Sequence, residues 1–262
     1  MVQVTATVLQ GRRFVRGLPR EAFRLFEDDV ARPLTYFAAE NVPLELFVAV
    51  DVSSSMRKAI GQVKENARRF LAALPSSHQV TLVSFNDELH VLTHPSMPLA
   101  PRLEAITPLV PFGMTSLYDV IVRSFDLLGQ QVGRRGVVIF TDGEDTSSHV
   151  SNDTVERRAE TSDAVVYIMG HGQALKSPTL RELCERLARK SGGRAFFPRE
   201  INELRRTFDT ILEELSSQYL LVYEPRSKKP DGKWHRIRVE AGNGRYEVRA
   251  RQGYRYDSAP GQ

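Results

Sequence analysis

The feature that most restricts the fold is an alternation, sustained over residues 43–217, between short apolar runs and amphipathic helical patterns. The run 44–50 has the length and the β-branched and aromatic character of a buried strand. Residues 57–74 follow it, with Ile60, Val63, Ala67, Phe70 and Leu71 spaced along one helix face. Strands are expected at 79–85 and 89–93, joined through Asn86-Asp87. After them the pattern predicts helix 116–128, strand 136–141, a short polar helix 155–161, strand 164–169, helix 179–190, strand 194–197 and a strongly amphipathic helix 201–215. Elements alternating at this length predict βαβ units, hence an α/β fold with a doubly wound, mostly parallel central sheet flanked by helices. Six or so strands are too few for an eight-stranded barrel.

The two ends read differently. Residues 1–42 hold alternating runs, turns at Gly11 and Gly17, and a Glu27-Asp28-Asp29 turn before 34–37. Residues 218–262 read as a β-meander: 219–223, the turn Lys229-Pro230-Asp231-Gly232, 234–239, the turn Asn243-Gly244, then one run 246–254. Neither flank is long enough to hold a good core alone. The expectation is that 1–42 and 218–262 pair into one β-rich subdomain from which 43–217 is inserted; the alternative is that both merely extend or drape the central sheet.

Composition excludes more than it names. The 36 Lys and Arg are spread among 32 Asp and Glu for a net charge of +4, unlike the one-sided basic patch of a nucleic-acid binder. The basic excess of 226–255, with Trp234 among it, reads as a solvated strand face. One cysteine, Cys184, precludes an intramolecular disulfide and a multi-cysteine metal site. No basic segment leads into an apolar signal core, and no run approaches the roughly 20 apolar residues of a membrane-spanning helix. P-loop, nucleophile-elbow and EF-hand patterns are absent. His90 and His94 are four apart in a strand and turn region, where that spacing makes no ligand face.

One constellation carries chemistry. Asp51-Val52-Ser53-Ser54-Ser55 stands directly after the first central strand, where open parallel sheets bind ligands. One carboxylate and two hydroxyls, two residues apart, are hard oxygen donors suited to Mg²⁺ or Mn²⁺. Gly113-Met114-Thr115-Ser116 offers a loop threonine before a helix; Ser116 and Asp119 have capping-box spacing, which leaves Thr115 for the ion. Asp142, in Thr141-Asp142-Gly143-Glu144-Asp145, ends another buried strand, with Glu144 and Asp145 as solvated rim charges.

Asp51, Ser53, Ser55, Thr115 and Asp142 resemble, in order and context, the metal-ion-dependent adhesion site of the von Willebrand factor type A domain family. The resemblance covers roughly 43–217. It implies a mostly parallel sheet with one short antiparallel edge strand, and an Mg²⁺ or Mn²⁺ ion, less readily Ca²⁺, bound by those five residues. It further implies a partner protein whose Asp or Glu fills the last coordination position, and so a non-enzymatic interaction or adhesion domain. The flanks, with 17–23 and 221–225, look like those of a bacterial branch called VWFA-related proteins, whose members are usually exported. That implies export with the leader absent here, a cytoplasmic location staying open. Two other readings of the same loops remain: a metal-assisted hydrolase using Glu144, Asp145 or His171 as base, and a scaffold whose ion is only structural.

Overall fold

The computed structural model describes residues 1–39, 42–129, 132–227 and 229–257. The first flank forms β1 (Val2–Gln10), β2 (Arg13–Phe14), β3 (Phe23–Glu27), β4 (Val30–Arg32) and β5 (Leu34–Ala38). The middle runs β6 (Leu44–Asp51), α1 (Ile60–Ala73), β7 (Gln79–Phe85), β8 (Leu89–Thr93), α2 (Leu99–Glu104) and α3 (Leu117–Leu127). It continues with β9 (Arg134–Thr141), α4 (Asn152–Thr161), β10 (Val165–Gly170), α5 (Pro178–Ser191), β11 (Arg194–Phe196) and α6 (Ile201–Leu215). The last flank adds β12 (Gln218–Tyr223), β13 (Trp234–Ala241), β14 (Glu247–Ala250) and β15 (Gly253–Arg255).

The central sheet has six strands in the order β11-β10-β9-β6-β7-β8, all parallel except the β7–β8 edge pair. Both faces are covered, which is why its strands read as continuous apolar runs rather than as alternation. Leu46, Val48 and Val50 of β6 pack with Val63, Phe70 of α1 and Phe208, Ile211 of α6. Phe47 and Ala49 point the other way, into a core with Val120 and Ile121 of α3, Val155 of α4 and Leu183 and Leu187 of α5. After β6 the chain steps to β7 and β8 on one side, then crosses back to β9 on the other. The switch in strand order therefore falls between β6 and β9, and opens a crevice at their carboxyl ends.

Strands from the two chain ends share two further sheets. One has the order β14-β1-β12-β5 with β2 on β1; the other is β15-β13-β3-β4. β1 runs antiparallel to β12 with Val2 opposite Tyr223. The two sheets bury one core that includes Val4, Ala6, Leu221 and Tyr223 from the first and Leu25, Ile237 and Tyr254 from the second. Asp28 and Asp29, both at positive φ, make the two-residue β3–β4 hairpin, a turn whose twist suits paired strands. Buried Arg134 donates to the carbonyls of Val42 and Leu215, both at 2.6 Å, and so holds the chain where it enters and leaves the α/β part.

Three local expectations are corrected. The run 246–254 is not one strand: β14 pairs with β1 and β15 with β13, and the chain turns from one sheet to the other at Arg251-Gln252. Gly253 permits that corner, since a Cβ there would meet the His235 carbonyl and the Trp234 ring, both at 2.4 Å. The first helix begins at Ile60 rather than 57 because Ser54–Lys58 forms a 3-10 turn. α2 escaped the pattern because Pro101 interrupts it, yet proline is tolerated in a helix's first turn, where no intrahelical N–H bond is lost. Cys184 is buried, its thiol pushed up to about 12 by desolvation.

A pH-dependent contact closes one end of the second sheet. His235 places Nδ1 2.9 Å from Asp28 and Nε2 3.2 Å from Asp231, with Glu27 at 3.8 Å. Burial opposes its charge, but the bonds to Asp28 and Asp231 outweigh it and raise His235 above 6.5. The same contact helps hold Asp28 and Asp231 below 3.8. The imidazolium thus stabilises fully below 6.5 and stops doing so as pH rises through its raised folded value; the carboxylates stabilise above 3.8 and lose that as pH falls. His235→Gln is expected to lower the unfolding midpoint more at about pH 5.5 than at about pH 9. Equal loss at both would show that the imidazole acts by packing alone.

Candidate functional site

Asp51 is the last residue of β6, and Asp142 follows the last residue of β9. The register pairs Val50 with Phe140, so both carboxylates emerge side by side at the switch-point crevice. Behind Asp51 the chain turns sharply: the Ser53 N–H donates to Asp51 Oδ1 at 2.8 Å, and Thr141 Oγ1 donates to Asp51 Oδ2 at 2.6 Å. Thr141 therefore aims the Asp51 carboxylate, a role that its place in a strand-end Thr-Asp-Gly gave little reason to suspect.

Ser53, Ser55 and Asp142 are linked through their side chains, and the Ser53 N–H ties Asp51 to them. Ser53 Oγ lies 2.9 Å from Ser55 Oγ, and Ser55 Oγ donates to Asp142 Oδ1 at 2.6 Å. Thr115 joins from the third loop. A Cβ placed on Gly143 would lie 3.3 Å from Thr115 Oγ1 and 3.4 Å from Ser55 Oγ, so both hydroxyls border that glycine. Among the described residues the Thr115 hydroxyl has no protein hydrogen-bond partner, while its backbone is clamped by Thr146 and Ser147. Asp51, Ser53, Thr115 and Asp142 are buried and Ser55 is exposed at the mouth.

The electrostatics favour a cation. Burial pushes Asp51 up to about 6, against hydrogen bonds from Ser53 and Thr141 that lower it, and the Asp142 charge raises it further. Asp142 is raised by burial too, against Ser55 and His171. Two desolvated carboxylates that repel one another gain from a positive ion between them. Two carboxylates and three hydroxyls are all hard oxygen donors, and so fit Mg²⁺ or Mn²⁺ better than a soft or nitrogen-seeking metal. Among the described residues no group of three or more His, Cys, Asp or Glu gathers as a metal site.

The neighbours take different roles from those expected. Ser116 and Asp119 form no capping box: the Ser116 hydroxyl donates to the Asn86 carbonyl, and Asp119 accepts from the backbone of His149 and Val150 at 3.0 Å. Asp145 is not a free rim charge, since it accepts from Tyr118 N at 3.0 Å at the start of α3. Capping of α3 thus comes from a distant loop instead of from its own first turn. Glu144 is exposed. His171 bonds through Nδ1 to the Pro198 carbonyl at 3.0 Å, so two of the three bases offered for hydrolysis are engaged in holding loops.

The fold has counterparts in other proteins. Residues 46–144 match the family model of the von Willebrand factor type A domain. All five candidate residues fall inside this type A match. No curated protein matches the chain. Among solved structures, a von Willebrand factor type A protein from Catenulispora acidiphila is similar at TM-score 0.57 and 13% identity, over 95% of this chain and 75% of that one. BatB from Bacteroides thetaiotaomicron is similar at TM-score 0.54 and 17% identity, over 66% of this chain and 97% of that one. The vWF domain of the type V pili tip protein Mfa5 from Porphyromonas gingivalis is similar at TM-score 0.52 and 13% identity, over 66% of this chain and 94% of that one. At these identities the likeness is one of fold. No helix among the described residues is long and apolar enough to cross a membrane.

Proposed function

We propose that this chain is a divalent-cation-dependent protein-interaction domain in which Asp51, Ser53, Ser55, Thr115 and Asp142 hold Mg²⁺ or Mn²⁺ and a partner's Asp or Glu docks on the ion. The observation that supports it most is that the Ser55 and Thr115 hydroxyls both border Gly143, with Ser55 bonded to Asp142, beside two buried carboxylates from adjacent strand ends. A divalent ion with few anionic ligands stays electrophilic and supplies a centre for an incoming carboxylate. The protein's part is preorganisation. Thr141 and the Ser53 N–H fix Asp51, and Ser55 fixes Asp142. A surface or exported location belongs to the same proposal, since the Porphyromonas neighbour is named as a pilus tip protein.

The test is thermal unfolding and calorimetric titration with Mg²⁺, Mn²⁺, Ca²⁺ or EDTA. At an ion concentration about 100 times Kd, stabilisation of about 2.7 kcal/mol is expected for the wild type and none for Asp142→Ala. In EDTA the variant is expected to stay folded, because it also loses the Asp142 repulsion felt by Asp51. A wild-type midpoint indifferent to every ion, with no heat of binding, overturns the proposal.

A further inference from the structure

The loop that delivers Thr115 to the candidate site also presents three large apolar side chains to solvent: Val110 is 66% exposed, Phe112 56% and Met114 51%. Scattered apolar residues on a surface need no explanation, but three at alternate positions of one loop beside a binding site do. This loop is not loose. Phe112 N donates to the Val52 carbonyl at 2.8 Å, Ser54 N donates to the Gly113 carbonyl at 3.1 Å, and Met114 N donates to Asp87 Oδ1 at 2.7 Å. Asn86 Nδ2 adds a bond to the Phe112 carbonyl at 3.2 Å. Gly113 sits at φ 75°, and a Cβ there would fall 1.9 Å from Asp87 Oδ1. The Asn86-Asp87 turn therefore acts as a clamp that fixes the loop against the Asp51 loop. Rigid presentation of Phe and Met removes the ordering cost that a flexible loop would incur on binding.

Met114 lines the same groove of about 590 Å³ as Ser53, Ser55, Thr115 and Gly143, with exposed Lys176 on its wall. Lys176 shares the wall with exposed Glu144 and has no ion pair among the described residues, so the cation to meet an acidic segment lies on the Lys176 side of the groove. Met114 and Thr115 are consecutive. A polypeptide whose carboxylate reaches the site thus sets its neighbouring side chains against Met114, with exposed Phe112 two residues further along the same loop.

Resting on the function proposed above, we infer that Phe112 and Met114 form the specificity surface of the site, and that the partner is a protein segment with a bulky apolar residue within one or two positions of its Asp or Glu. Aromatic and methionine side chains beside a desolvated polar contact are the composition of interface hot spots.

The experiment selects random linear heptapeptides displayed on phage against the full chain in Mg²⁺, then measures the enriched peptides by fluorescence anisotropy. Enriched peptides are expected to carry Asp or Glu next to Leu, Ile, Phe or Met, and to need both the ion and Asp142. The double variant Phe112→Ser, Met114→Ser is expected to bind them about tenfold or more weakly, with an unchanged unfolding midpoint and the ion requirement intact. Peptides that need the ion and Asp142 yet bind the double variant equally well overturn the specificity surface and leave the ion site standing. Ion-dependent peptides whose acidic residue has no apolar neighbour overturn it in the same way. If no peptide depends on the ion, or Asp142→Ala binds as the wild type does, the ion-site reading fails and this inference falls with it.

Discussion

Glu214→Ala is expected to destabilise the chain by about 3–5 kcal/mol, the usual consequence of removing one member of a buried charged cluster. Glu214 is fully buried near the end of α6. Its Oε1 accepts from Tyr167 Oη of β10 at 2.9 Å and from Thr7 Oγ1 of β1 at 3.4 Å. Its Oε2 lies 2.7 Å from Arg249 Nη2 of β14, an ion contact without the alignment of a hydrogen bond. Gln218 Nε2 of β12 completes the cluster by donating to Tyr167 Oη at 2.8 Å. One carboxylate thereby joins the last helix, the central sheet and both chain ends. Its loss leaves Tyr167 and Thr7 without their acceptor and Arg249 without its counter-charge. Urea unfolding measures the effect, and Glu214→Gln, which keeps an acceptor but not the charge, is expected to fall between. A change below about 1 kcal/mol for Ala would mean that apolar packing alone couples the two halves.

Phe208→Ala is expected to cost a similar ~3–5 kcal/mol, by a different route. Phe208 is 3% exposed and stacks on Phe140 at 4.5 Å between centroids, with Phe70 at 5.5 Å. Its ring contacts both β9 and α1 from α6. Truncation empties the middle of that face, and three separate elements would have to shift to close it. Because Phe140 lies two residues before Asp142, the ion-dependent stabilisation proposed above is expected to weaken too, whereas Glu214→Ala removes contacts to Thr7, Tyr167 and Arg249 and should leave it. Equal ion response in both variants would show that the crevice does not depend on how α6 packs.

The alternation of apolar runs and helical faces could be read because burial on both sides of a parallel sheet leaves a local signature in each strand. That the candidate residues would lie close together could be read because they sit within a few residues of strand ends or helix starts, so that short spacings such as Asp51–Ser53–Ser55 survive into geometry. Roles that depend on distant partners could not. Asp145 caps α3 from 27 residues away, while Ser116 and Asp119, at perfect capping-box spacing, turn to other loops. Thr141 and the Asn86-Asp87 clamp were invisible for the same reason: their side chains act on segments that only folding brings near. The apolar loop Val110-Pro111-Phe112-Gly113-Met114 did carry a signal, being too apolar for an ordinary surface loop, though nothing local said which site it borders.

Periodicity and residue type act over a few residues, and they suffice for the class of each strong element, the parallel α/β character of the centre, and the oxygen chemistry of three short motifs. Folding had to settle that β6 and β9 adjoin at the switch point, and that the run 246–254 divides between two sheets at a glycine corner. The fastening of the flanks to the last helix by one glutamate is of the same kind. Those outcomes rest on which surfaces meet, and burial is settled by the whole chain at once.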